Sequence, residues 1–226
     1  MSRIPQASIA GVLRGFAELL LTVGALLAAL AFYLLVWTNL QTAAAQKDLL
    51  QEFRSQQQTD QTGQAGRQTR PGTGDGLNVL HIPRLGKDWK RVVVEGVDMK
   101  SLNTAPGHFP DTALPGQVGN YAVAGHRATH GEPFADLDRM VAGDKVYVEA
   151  ANGWFTYQVT WSRIIAPNHT EILAPVAGKP GQAPTARTLT LITCHPRWGS
   201  TERLVVGAQL VEERSLAAGP PEGMDS

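Results

Sequence analysis

Apolar positions along this chain fall into two regimes. From Leu19 to Trp37 the sequence reads LLLTVGALLAALAFYLLVW, an unbroken apolar run without a charged residue. As a helix it would reach about 28 Å at a rise of about 1.5 Å per residue, close to the hydrocarbon thickness of a bilayer. From about Leu77 to Glu213 apolar residues come instead in short runs rich in β-branched and aromatic side chains: Asn78–Ile82, Arg91–Glu95, Tyr121–Ala124, Lys145–Glu149, Trp154–Ile165, Thr188–Thr193 and Leu204–Val211. Turn formers separate them, among them Pro83, Leu114-Pro115-Gly116, Gly143-Asp144 and Lys179-Pro180-Gly181. Asn152-Gly153 between two such runs is a strong hairpin signal. Helical periodicity is scarce: Phe134–Met140 allows one or two turns and Met99–Thr104 one. Strands at this density with few helices predict an all-β domain, a closed barrel or a sandwich, with one or two short helices.

The flanks of the apolar run set the organisation. Arg3 and Arg14 precede it, Glu18 stands at its edge, and Lys47 beyond it is balanced by Asp48. The positive-inside bias predicts a cytoplasmic N-terminus over residues 1–18, a transmembrane anchor over 19–37, and everything later outside the plasma membrane. A cleaved signal peptide is the competing reading, with Ala43-Ala44-Ala45 imitating a cleavage site. Residues 38–75 read as a juxtamembrane helix over Asn39–Gln58 and a flexible Gln- and Gly-rich linker, which would hold the domain away from the bilayer. The folded domain is expected over 76–214 and a disordered tail over 215–226. Residues 1–75 hold no candidate catalytic group and are expected to be dispensable for chemistry.

Composition narrows the function. Lys plus Arg and Asp plus Glu number 20 each, so net charge is zero and no nucleic-acid footprint is implied. The chain holds one cysteine, Cys194. It cannot form an intramolecular disulfide, and outside the cell a lone thiol is either buried or used. One cysteine with scattered histidines lacks the signature of a zinc site, so no metal and no cofactor is expected. Gly72–Gly76 has no Lys-Ser/Thr after it and reads as linker, not phosphate loop. Asn168-His169-Thr170 matches a glycosylation sequon, a three-residue pattern frequent by chance, and Asp136 and Asp138 read as capping or solvated residues.

Cys194 ends one strand-like run, and Arg203 opens the next after a loop containing Pro196, Gly199 and Ser200. Antiparallel strands joined this way bring both to one mouth, where the cation can favour a thiolate or hold an oxyanion during acyl transfer. The bland alternative is a buried cysteine near a surface arginine. A nucleophilic thiol wants a histidine partner. His126 directly follows the Tyr121–Ala124 run, with Gly125 as a hinge. His130 in the same loop is the runner-up. His195 adjoins the thiol but should face the other side of the strand. His81, His108 and His169 read as structural or solvated.

Together these segments resemble the sortases, membrane-anchored cysteine transpeptidases of Gram-positive bacteria. Ala124-Gly125-His126-Arg127 is similar to the catalytic-histidine segment, Thr190-Leu191-Ile192-Thr193-Cys194 to the TLxTC pattern, and Arg203-Leu204-Val205-Val206 to the catalytic-arginine strand. Gly107-His108-Phe109-Pro110, Leu114-Pro115-Gly116-Gln117, Gly131-Glu132-Pro133-Phe134 and Cys194-His195-Pro196 look most like class E, although Ala105 and Phe109 depart from the commoner Gly and Tyr. The resemblance implies an eight-stranded β-barrel with Cys194, His126 and Arg203 as catalytic residues and Thr193 shaping the substrate pocket. It implies cleavage of LAxTG- or LPxTG-type C-terminal signals of surface proteins between Thr and Gly, and transfer to a cell-wall precursor amine of the lipid II type. A pilin-polymerising sortase and a catalytically idle, wall-binding barrel are the alternatives.

Overall fold

The structure, a computed structural model, describes residues 6–62 and 71–224. Among these, eight strands form a closed barrel in the order β1-β2-β3-β4-β7-β8-β6-β5. They are β1 (Gly76–His81), β2 (Lys90–Glu95), β3 (Gly107–His108), β4 (Gly119–Ala124), β5 (Lys145–Ala150), β6 (Gly153–Ile165), β7 (Arg187–His195) and β8 (Glu202–Arg214). The β2–β3 and β4–β7 pairs are parallel; the rest are antiparallel. The barrel and the paucity of helix agree with the sequence pattern. Strand β3 is the exception: two residues carry no readable alternation.

Period-two alternation fixes what faces inward. Tyr121 and Val123 of β4, Leu189 and Leu191 of β7, and Leu204, Val206 and Ala208 of β8 enter the buried interior with Phe155, Tyr157 and Phe134. The intervening residues therefore point outward. Ile192 and Val205 do so, and an outer apolar layer covers them: Ile172 and Leu173 of the β6–β7 connection, with Phe109 and Trp161. Asn120, also outward, pins that connection. Its amide donates to the Ile172 carbonyl at 2.9 Å and accepts from Thr190 Oγ1 at 2.7 Å.

N-terminal to the barrel, helix α1 (Gln6–Phe32) runs through a π segment, Tyr33–Trp37, into α2 (Thr38–Thr62). Ala10–Phe32 is long and apolar enough to cross a membrane. The expected linker falls partly on residues 63–70, outside the described residues. The part that is described does not behave as a spacer. Phe53 of α2 is buried with Val79 and Val92, backed by Leu49 and Leu50, and the Gln46 side chain forms a two-way bond with the Val92 backbone at 2.8 and 3.1 Å. The helix thus lies against the outer face of β1 and β2 and does not hold the barrel at a distance. Burying a Phe contributes about 1.5–3 kcal/mol, enough to dock a polar helix whose sequence alone reads as solvated.

The tail also departs from the expected disorder. The Arg214 guanidinium donates to the carbonyls of Ala218 and Pro220 at 3.4 and 3.1 Å, Pro221 is buried, and Tyr147 Oη donates to the Glu222 carbonyl at 3.4 Å. Small residues need little apolar area to pack when backbone carbonyls are capped this way. Short helix α3 (Met99–Thr104) starts at Asp98, whose carboxylate accepts from the Lys100 and Ser101 N–H groups.

Candidate active site

Three adjacent strands, β4, β7 and β8, end at one mouth. Cys194 of β7 is the direct cross-strand partner of Arg203 of β8. Opposed residues of an antiparallel pair have Cα atoms about 4.5–5.5 Å apart and side chains on the same face. On the other side β4 runs parallel to β7 with Ala124 opposite Ile192. The pairing continues beyond the strand: the Gly125 N–H donates to the Ile192 carbonyl at 3.1 Å, and Thr193 Oγ1 donates to the Gly125 carbonyl at 2.7 Å. Two residues on from that opposed pair stand His126 and Cys194. Ala122, Ala124 and His126 share the outward parity of Ile192, Cys194, Arg203 and Val205. The three candidates therefore meet on the barrel's outer face, at the rim of the Ile192–Val205 apolar layer.

Each side chain has a definite setting. Cys194 is half-buried. Arg203 Nη1 donates to the carbonyls of Ser200 and Glu202, both at 2.9 Å, while its Nε and Nη2 take no partner among the described residues. His126 is half-buried and its Nε2 donates to Asn103 Oδ1 of α3 at 3.2 Å. Its ring stacks on His130 with centroids 4.9 Å apart. Burial, and then the charge of His130, lower the pKa of His126 from its ordinary value. Thr193 is buried and faces away from the thiol, its hydroxyl committed to the Gly125 carbonyl. It supports the backbone between His126 and Cys194 and does not open onto the mouth.

Arg127, next to His126, is 4% exposed and serves a different purpose from Arg203. Its guanidinium donates to His195 Nδ1 at 2.9 Å, to Asp138 Oδ2 at 3.0 Å and to the Ala135 carbonyl at 3.3 Å. This fork ties the loop after β4 to the end of β7 and occupies His195 as an acceptor. Arg197 is likewise taken up, by Glu132 at 2.8 Å. The loop itself is strained: His130, Gly131 and Glu132 all have positive φ, at 52°, 76° and 44°. For the two non-glycine residues this costs of order 1–3 kcal/mol each. Gly125 is required by space: a Cβ there would come within 2.7 Å of the Phe134 ring. Sequence reasoning missed Asn103, and nothing in a short polar helix distinguishes it. His108 and Glu95, by contrast, form a buried pair at 2.7 Å away from this mouth.

A separate cavity of about 340 Å³ lies over the start of β7 and the middle of β8, lined by Trp161, Arg163, Lys179, Thr188 and Gln209. None of the three candidate residues borders it.

A barrel of this strand order with a thiol, a guanidinium and an imidazole on three neighbouring strand ends defines a sortase. Residues 80–211 match the sortase domain family, and the chain belongs to that family. It is 31% identical to sortase SrtE1 of Streptomyces coelicolor over 236 residues, covering 100% of this chain and 64% of that one. The chain thus spans just under two thirds of that relative. Among solved structures, sortase E from Streptomyces avermitilis is 39% identical, with 68% of this chain and 99% of that chain covered and a TM-score of 0.62. Sortase E1 from Streptomyces coelicolor, solved with a tripeptide in its active site, is 35% identical over 67% of this chain and 97% of that one, also at 0.62. Within the family the resemblance is to class E.

Proposed function

We propose that this protein is a membrane-anchored cysteine transpeptidase of the sortase E type, with Cys194 as nucleophile, His126 as acid–base group and Arg203 as oxyanion donor. The observation that carries this reading is the cross-strand pairing of Cys194 with Arg203, flanked by His126 in the loop that follows β4.

The Cys194 thiolate adds to the carbonyl carbon of the Thr–Gly amide in a sorting signal. The developing oxyanion takes hydrogen bonds from Arg203, whose Nη1 is braced by the Ser200 and Glu202 carbonyls while Nε and Nη2 take no partner among the described residues. Protonated His126 gives its proton to the departing glycine amine as the C–N bond breaks, leaving a thioester on Cys194. An incoming amine attacks that thioester, loses its proton to His126, and expels the thiolate with a new amide formed. The apolar rim of Ile192, Val205, Phe109 and Leu173 suits the leucine of an LAxTG- or LPxTG-type signal. The donors are surface proteins bearing such C-terminal signals, and the acceptor is a cell-wall precursor amine of the lipid II type. Ala10–Phe32 anchors the chain in the plasma membrane with its N-terminus cytoplasmic and the barrel outside.

The test is incubation with LAxTG and LPxTG peptides and a defined amine, followed by mass spectrometry. Accumulation of a thioester on Cys194 and of the transpeptidated product is the expected result. Cleavage that persists in Cys194→Ala would refute it.

A further inference from the structure

Helix α2 meets the barrel with one stripe. Asn39, Thr42, Gln46, Leu49 and Phe53 follow one another at spacings of three, four, three and four, which places them on one face. The lower half of the stripe, from Gln46 to Phe53, grips β1 and β2. The upper half touches the surroundings of His126. Asn39 Oδ1 accepts from the Gly131 N–H at 2.8 Å, in the middle of the left-handed stretch that follows His126. Thr42 underlies the same glycine so closely that a Cβ on Gly131 would come 2.7 Å from Thr42 Cγ2. Thr42 Oγ1 shares its one proton between the Thr38 carbonyl at 3.0 Å and the carbonyl of Asn103 at 3.1 Å, and the side chain of Asn103 in turn accepts from His126 Nε2 at 3.2 Å. The loop that carries the imidazole and the amide that orients it both rest on two α2 residues, in the first turn and a half after the apolar run.

We propose that α2 is a positioning element for the acid–base step: Asn39 and Thr42 hold Gly131 and Asn103 in place, and Asn103 fixes the His126 ring with its proton on Nε2 and its lone pair on Nδ1. This rests on the reading of His126 as the acid–base group. On this reading the helix links the membrane segment to the chemistry, the opposite of the expectation that residues 1–75 are dispensable. The ionisable group in contact with the ring is His130 on its own loop, with Cys194 and Arg203 at the same strand ends; the contacts made to the ring and its loop from α3 and α2 come from the neutral Asn103, Thr42 and Asn39.

The test uses the full chain in detergent micelles, with Asn39→Ala/Thr42→Val, Asn103→Leu, Asn103→Asp and His126→Ala. Turnover of a sorting peptide, iodoacetamide alkylation of Cys194 across pH, and Tm are read for each. The double variant and Asn103→Leu should lower kcat about 10- to 100-fold with KM nearly unchanged, the pattern of a misplaced reacting group. Asn103→Asp keeps the acceptor and adds a negative charge that favours the imidazolium. It should retain far more of kcat than Asn103→Leu and move the acid limb of kcat/KM to higher pH. A helix that only stabilises the barrel would change Tm and leave the pH profile alone. If the double variant and Asn103→Leu keep the parent kcat and profile while His126→Ala abolishes turnover, α2 does not position the ring. If His126→Ala itself retains turnover and an unchanged alkylation profile, the acid–base reading has failed instead. Should Asn103→Leu lose its far-ultraviolet signature of folding, the near-isosteric Thr42→Val alone decides between these outcomes.

Discussion

Arg203→Lys separates charge from geometry at the oxyanion site. In the parent, Nη1 is spent on the Ser200 and Glu202 carbonyls, and Nε and Nη2 remain to meet the oxyanion as a planar pair. Lysine offers three donors on a single atom. If two of them keep the loop carbonyls, one remains, and it cannot be bidentate. The substitution therefore keeps the unit charge opposite Cys194 and removes at least one directed donor. Loss of one such donor costs about 10²–10³-fold in kcat, or roughly 2.7–4 kcal/mol of transition-state stabilisation. The expected outcome is a drop of that size in kcat for peptide cleavage, with KM and Tm close to the parent. Single-turnover quench of a fluorogenic sorting peptide measures it directly. Near-parental kcat would mean that Arg203 supplies only a positive field and that the directed oxyanion role is wrong.

Cys194→Ala should lose turnover entirely and keep the parent Tm, because the thiol is only half-buried; circular dichroism and peptide cleavage check both halves. The lowered pKa of His126 gives a pH prediction. Below its ordinary value, near 6.5, the unfolded chain binds a proton that the folded state resists, so acidification destabilises the fold. His126→Gln should flatten the fall in Tm between about pH 7.5 and 5, and parallel curves for parent and variant would refute the assignment. Gly207→Ala should destabilise by about 1–3 kcal/mol, since its Cβ would overlap the Trp161 ring, whose neighbour Arg163 stands 4.2 Å from its centroid; urea unfolding measures this.

The strands and the Cys194–Arg203 pairing were legible because both are local in their logic. Alternation marks a strand wherever one face is buried, and a six-residue turn between two strands forces its ends together. The parallel β4–β7 pairing was not, since nothing within Tyr121–Ala124 or Thr188–Thr193 names the other. His126 was reachable only through its motif and glycine hinge. Asn103 was out of reach: its hydrogen bond to His126 spans 23 positions and leaves no trace in the composition of α3. The α2 stripe was hidden for a related reason. Asn39, Thr42 and Gln46 satisfy backbone groups of the barrel, and polar residues used this way look the same in sequence as residues bathed in water. The ordered tail escaped because its partners, the Arg214 guanidinium and the Tyr147 hydroxyl, cap carbonyls and not side chains.

The three groups at the mouth enter the chain late and in a fixed order: His126, then Cys194, then Arg203 on the final strand. Because synthesis runs from the N-terminus, a growing polypeptide carries an imidazole without a thiol, then a thiol without its cation, and β7 has no antiparallel partner until β8 appears. The Cys194–Arg203 pair spans only nine positions, yet it cannot close until β8 has been made. Maturation therefore has its own timer. On the proposed mechanism, a half-made chain presents Cys194 without Arg203 beside it, and acyl transfer through the thiol begins only when the last strand has been laid down. Chains ending at Thr201, before β8, should alkylate at the rate of a free cysteine.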